Sequence, residues 1–210
     1  MSAGNECLDV VILPPEGIAR KAIALSRLLT RRFGSPLLLD RAGALPHISL
    51  YHIAVSRDRL SAFRERLRAI AARTEVGELH VVGIHIYREF GSIAIAISKP
   101  PWLQRLYLRI IHETSELRDT RFDNHRSWVS ERLSPGERAW IDRYGTPLVG
   151  RFFIPHITLG IIRDCDQLQA AAGVISLRHR GFKVTELAIC RQGPHHTCTR
   201  VIERLALKNG

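Results

Sequence analysis

The segment Pro46-His47-Ile48-Ser49-Leu50 returns in the second half of the chain as Pro155-His156-Ile157-Thr158-Leu159. A duplicated segment limits the folds open to a chain, because both copies must adopt the same local structure in equivalent surroundings. Each copy reads as a strand. Residues i and i+2 of a strand share a face, so His47 and Ser49 look one way while Ile48 and Leu50 look the other. The same holds for His156 and Thr158 against Ile157 and Leu159. Each strand thus offers an imidazole and a hydroxyl to one surface and packs aliphatics behind it. If a pseudo-twofold axis relates the halves, the two polar pairs face each other.

The remaining pattern keeps step with this duplication. Apolar runs predict strands at residues 8–13, 48–55, 79–87, 92–98, 157–162, 184–191 and 199–207. Helical spacing predicts helices at 16–33 (Ile18, Ala22, Leu25, Leu29, ended by Gly34), at 57–73 (Leu60, Phe63, Leu67, Ile70) and at 164–175. A further helix opens at Pro100-Pro101, with Leu103, Leu106, Ile110 and Leu117 as its stripe. Residues 88–91 and a Gly-Pro turn after residue 191 read as hairpin connections. One domain over residues 1–210 is expected. It has repeat one at about 7–91, repeat two at about 92–207, and an insertion or lid of about two dozen residues within 119–153. That insertion carries Trp128, Trp140 and Tyr144, and a short helix capped by Ser134 with Glu137 at N3, ended by Gly145.

Two imidazoles across a small anion supply what phosphodiester chemistry needs near neutral pH. One takes a proton from the attacking oxygen and the other returns one to the leaving oxygen. The hydroxyls can donate to the non-bridging phosphate oxygens. Five of the ten histidines fit His-x-[Ser/Thr], so that pattern alone is weak. Only His47 and His156 add the preceding Pro, the intervening Ile and the following Leu, at equivalent places in the repeat.

These duplicated strands resemble the 2H phosphoesterase superfamily, which includes 2'-5' RNA ligase-like proteins and cyclic nucleotide phosphodiesterases. The resemblance implies an α+β, bilobal, duplicated fold with two antiparallel sheets flanking a central cleft and helices outside. It implies metal-independent hydrolysis or transesterification of 2',3'-cyclic phosphates or 2'-5' phosphodiester bonds in RNA ends or nucleotides. His47 and His156 take the acid and base roles in either order, and Ser49 and Thr158 hold the phosphate. Ser49 departs from the commoner Thr but keeps the hydroxyl. No cofactor and no metal is called for.

Other residues are candidates for contact with substrate. Tyr51 lies two residues past Ser49 and either stacks on a base or packs as sheet cover; Gly160 holds the equivalent place and could leave room for substrate. Arg151 could form part of a lid or base platform, or join a small satellite core with the insertion aromatics. By alternation His52 falls on the face opposite His47 and reads as structural. Cys190, His195, His196 and Cys198 have compact spacing but no regular zinc-finger pattern, so a metal-free hairpin is the better reading.

The net charge of +11, with 27 Arg and four Lys, favours anionic partners: RNA, a small nucleotide or another cyclic phosphate. The arginines are spread along the chain, and a cleft between the lobes is where their field would act. No apolar run approaches a membrane span, no signal peptide is visible, and the four scattered cysteines suit reduced thiols. A cytoplasmic protein away from membranes is expected. Oligomeric state is left open, with a monomer as the default. Two alternatives remain: a non-catalytic RNA- or nucleotide-binding module using the same cleft, and a metal-dependent phosphoesterase using the Cys190–Cys198 region.

Overall fold

The apolar run at the start of the chain forms β1 (Asn5–Ile12), and its two neighbours set the architecture. In the computed structural model, which describes residues 5–120, 134–146, 153–178 and 180–209, β1 pairs antiparallel with β2 (Ile48–Ser56) on one side and β7 (Glu186–Gln192) on the other. With β8 (Cys198–Ala206) paired to β7, the first sheet has the order β2-β1-β7-β8. The second sheet has the order β5-β4-β3-β6, from β3 (Gly77–Tyr87), β4 (Ser92–Ile97), β5 (His156–Ile161) and β6 (Gly181–Val184). Its strands too are antiparallel to their neighbours.

The helices follow their apolar stripes. In α1 (Glu16–Phe33), Ile18, Ala22, Leu25 and Leu29 are buried as the spacing predicts, and Gly34 ends the helix in the left-handed conformation (φ 66°). In α2 (Leu60–Ala72), Phe63, Leu67 and Ile70 are fully buried. Helix α3 (Pro101–Thr114) has proline in its first turn, where the missing N–H costs nothing. Within the span 119–153 lies α4 (Pro135–Tyr144). Asp164 caps α5 (Cys165–Gly173), its side chain accepting from Gln167 N at 2.8 Å. Helices α2 and α3 cover the first sheet, and α1 and α5 the second. One contiguous hydrophobic cluster runs through both. Among the described residues no helix is long and apolar enough to cross a membrane.

The sheets do not coincide with the repeats. Strand β3, from the first repeat, sits beside β4 of the second, and β7, from the second, sits beside β1 of the first. Helix α1 likewise lies over β5, and α3 over β2. Residues 184–191 were expected as one strand. In the structure the chain leaves β6 in the second sheet and enters β7 in the first with only Thr185 between them. Phe182 and Val184 alternate with polar residues while 187–190 is a continuous apolar run, but no glycine or proline separates the two stretches, so no turn signal marks the change of sheet. The hairpin at residues 88–91 forms as expected. Its Gly91 (φ 59°) cannot carry a side chain, because a Cβ would lie 2.7 Å from Ile162 O.

Candidate active site

The two motif strands are edge strands, β2 of the first sheet and β5 of the second, and they approach each other. Each begins at its motif. His47 immediately precedes β2 and His156 opens β5. Both rings are held alike: His47 Nδ1 lies 2.7 Å from Leu45 O, and His156 Nδ1 lies 2.7 Å from Ile154 O. A carbonyl can only accept, so Nδ1 carries a proton in both rings. Each Nε2 is therefore the nitrogen left to react.

A second shared device is a β-bulge. The β1–β2 register shifts so that Val10 pairs with Tyr51 and Val11 with Ser49, leaving Leu50 as the extra residue. The β4–β5 register shifts so that Ile93 pairs with Gly160 and Ala94 with Thr158, leaving Leu159 extra. The bulges thus occupy the same position in the two repeats. A bulge reverses the alternation beyond it.

That reversal decides one open reading, that of Tyr51, and corrects two expectations. Tyr51 does not line the cleft. It is 2 % exposed in the core, and its hydroxyl donates to Tyr144 O at 2.7 Å. Gly160 does not leave room for substrate. A Cβ there would lie 2.9 Å from Leu29 Cδ1 and 3.0 Å from Ser35 Oγ, so its missing side chain admits α1. His52 is not on the opposite face. Its Nε2 lies 3.1 Å from Ser49 Oγ and 3.0 Å from Asp9 Oδ2. Replacing Tyr51 with phenylalanine is expected to cost about 1 kcal/mol, the worth of one buried hydrogen bond, and to leave turnover unchanged. Thermal unfolding beside a steady-state assay checks both halves.

Asp9 is the centre of the first half-site. Its side chain is fully buried, and Oδ2 accepts from Ser49 Oγ at 2.7 Å and lies 3.5 Å from His47 Nε2. The other oxygen, Oδ1, is buried with no hydrogen-bond partner among the described residues. The second half-site is built differently. Tyr87 Oη lies 3.1 Å from His156 Nδ1, with the rings 4.9 Å apart, and His85 packs edge-on to Tyr87 at 4.1 Å. Burial raises the Tyr87 phenol to about 12, so it stays a neutral hydroxyl at working pH. The hydroxyl of Thr158 has no side-chain hydrogen bond among the described residues.

Charge in the site is set by burial and by the histidines themselves. Burial pulls the His156 pKa down to about 4. The Ile154 carbonyl opposes this, and His47, His85 and His52 add to the fall. Burial lowers His47 as well, against an upward pull from Asp9 and the Leu45 carbonyl. His47 thus lies close enough to His156 to oppose its protonation.

The turn between β7 and β8 adds one more ring. His195 and His196 both adopt left-handed conformations (φ 55° and 56°), which are costly without glycine. His196 lies 5.3 Å from His52, centroid to centroid, and its Nδ1 accepts from Gln192 Nε2 at 2.8 Å. Cys190 and Cys198 are buried in a small cluster with Val11 and Ala188. Among the described residues no three His, Cys, Asp or Glu side chains are arranged to hold a metal ion.

Several ion-paired arginines lie on the helices, Arg68 with Glu203 and Arg73 with Glu113 among them. A cavity of about 330 Å³ between Arg64 of α2 and Arg191 and Arg200 contains none of the site residues. Arg151 lies outside the described residues, as does Trp128.

Reasoning from the sequence missed Asp9, His85 and Tyr87, named His196 only with the Cys190–Cys198 group, and misplaced His52. Asp9 had a visible signal: it is the one charged residue in the run Leu8-Asp9-Val10-Val11-Ile12-Leu13. A carboxylate there must find partners or a task. The others come from β3 and the β7–β8 turn, distant in sequence from both motifs.

A family model for the 2'-5' RNA ligase superfamily matches residues 14–195. No curated protein matches the chain in sequence. Solved structures of similar fold include TT0787 of Thermus thermophilus, at 15% identity over 97% of this chain and 98% of that one, with a TM-score of 0.62. E. coli LigT complexed with phosphate is similar at 18% identity over 97% and 98% of the two chains, TM-score 0.55. LigT complexed with NADP+ gives 17% over the same shares and a TM-score of 0.53.

Proposed function

Because the chain belongs to the 2'-5' RNA ligase superfamily of 2H phosphoesterases, we propose that it cleaves 2',3'-cyclic phosphates or 2'-5' phosphodiester bonds of RNA ends or nucleotides. The observation that carries this reading is the matched pair of histidines. Each ring is tied through Nδ1 to the carbonyl two residues before it, and each has Nε2 left for proton transfer. One Nε2 takes a proton from the attacking oxygen, and the other gives one to the leaving oxygen. The Thr158 and Ser49 hydroxyls flank the anion. Both steps need only the imidazoles.

A non-catalytic binding module is the second reading. It explains less, since binding an anion requires neither the equal tethering of two rings nor the lowering of both pKa values. The deciding experiment is a panel of 2',3'-cyclic nucleotides and 2'-5'-linked dinucleotides in EDTA, with wild type compared against His156→Ala. Turnover by wild type alone supports the proposal. Salt-dependent RNA binding without product from any substrate supports the binding module. Loss of turnover in EDTA, restored by a divalent ion, supports metal-dependent chemistry.

The pH dependence has a definite direction. The base must be unprotonated and the acid protonated, so kcat/KM of the free enzyme peaks between the two titrations. Both are displaced downward, His156 to about 4 and His47 to below 6.5. The bell is therefore expected to centre on the acid side of pH 6.5. A profile of kcat/KM from pH 4 to 9 checks it, and a bell centred above pH 7 contradicts it.

A further inference from the structure

The two half-sites match in backbone and differ in charge. The bulges and the Nδ1 tethers are duplicated. The carboxylate is not: Ser92 of β4 pairs with Ile161 where Asp9 of β1 pairs with His52. We propose that Asp9 is a positioning residue that makes the His47 half of the site the proton-donating half, since its carboxylate lies 3.5 Å from His47 Nε2 and none lies beside His156 among the described residues. The proposal rests on the two-histidine reading above and assigns the direction that the reading leaves open.

The tethers supply the reason. With the Nδ1 proton committed to Leu45 O, a neutral His47 turns a bare Nε2 lone pair toward Asp9 Oδ2, which is repulsive. A proton on Nε2 converts the contact into an attraction. The Ser49 hydroxyl donates to the same Oδ2 and so keeps it an acceptor. His156 also has its Nδ1 proton committed, but its Nε2 has no anion beside it among the described residues. It is left as the lone-pair base.

The other groups around the pair do not restore the symmetry. His52 from β2 and His196 from the β7–β8 turn lie on the Asp9 side. Tyr87 and His85 from β3 lie on the His156 side. Cys190 of β7 and Cys198 of β8 complete the Asp9 side, and the Cys198 thiol is held neutral by its hydrogen bond to the Cys190 thiol and by burial. Asp9 is the one carboxylate among them.

For hydrolysis of a 2',3'-cyclic phosphate the direction is then fixed. His156 Nε2 takes a proton from water as the water oxygen bonds to phosphorus. The bond from phosphorus to one ribose oxygen breaks, and that oxygen takes the Nε2 proton of His47. Exchange with solvent returns one proton to His47 and removes one from His156.

The test is a histidine NMR titration of wild type and Asp9→Asn, with resonances assigned through His47→Gln and His156→Gln, beside the pH profile of kcat/KM. In wild type His47 is expected to titrate above His156. In Asp9→Asn the His47 titration should fall by about 1 pH unit or more, the usual effect of removing an opposite charge within ~4–6 Å. The descending limb of the profile should fall with it while the ascending limb stays. A purely structural Asp9 would lower the rate uniformly and leave both limbs in place, and that result overturns the proposal. So does a wild-type His47 that titrates below His156, a measurement that needs no folded variant of Asp9. Folded wild type that turns over no substrate overturns the phosphoesterase reading beneath the proposal. An unshifted His47 in Asp9→Asn overturns the proposal whatever the turnover.

Discussion

Replacing His156 with alanine is expected to lower kcat by about 10²–10⁴-fold, the ordinary worth of one positioned acid or base, with little effect on folding. His156 stands at the first position of an edge strand, and among the described residues its side chain bonds only Ile154 O and Tyr87 Oη. Losing the ring leaves the backbone ladder intact. His47→Ala should fall by a similar factor. The double variant should be only slightly worse than either single one, because an acid and a base that serve one transition state fail as a unit. Far-ultraviolet circular dichroism with single-turnover kinetics on a cyclic nucleotide measures both. Retention of more than a tenth of the wild-type rate by either single variant is incompatible with the proposed chemistry.

The second large effect falls on a hydroxyl, and unevenly. Thr158→Val is expected to cost about 10²–10³-fold in kcat, the range found when one donor to a transition-state oxyanion is removed. Ser49→Ala should cost less. The Ser49 proton is already given to Asp9 Oδ2 at 2.7 Å, whereas the Thr158 hydroxyl is not engaged by a side chain among the described residues. Only a hydroxyl whose proton is available can donate to the phosphate. Steady-state kinetics of the two variants at saturating substrate give the comparison. Equal losses would mean that Asp9 releases Ser49 when substrate binds.

Much of the fold was legible because its signals are local. The stripe Ile18, Ala22, Leu25 and Leu29 specified α1, and Gly34 its end. Phe63, Leu67 and Ile70 specified the buried face of α2. The turn at residues 88–91 specified the β3–β4 hairpin. The errors in the site share one cause. Strict alternation from His47 puts Tyr51 on the cleft face and His52 behind it, and one inserted residue, Leu50, exchanges them. A bulge is a property of the pairing with β1, and neither strand alone reveals it.

What the sequence determined by itself was the duplication, the two imidazole–hydroxyl pairs and the chemistry they suit, because a five-residue identity and period-two alternation act within one strand. What only the tertiary structure decided was the company those pairs keep. Strands β3 and β7 change places between the sheets, so Tyr87 and His85 arrive beside His156 while Cys190 arrives beside Asp9. Cross-strand neighbours are chosen by long-range pairing, for which the local pattern holds no record. The duplicated sequence therefore reads as a symmetric site, and the folded chain makes it an asymmetric one.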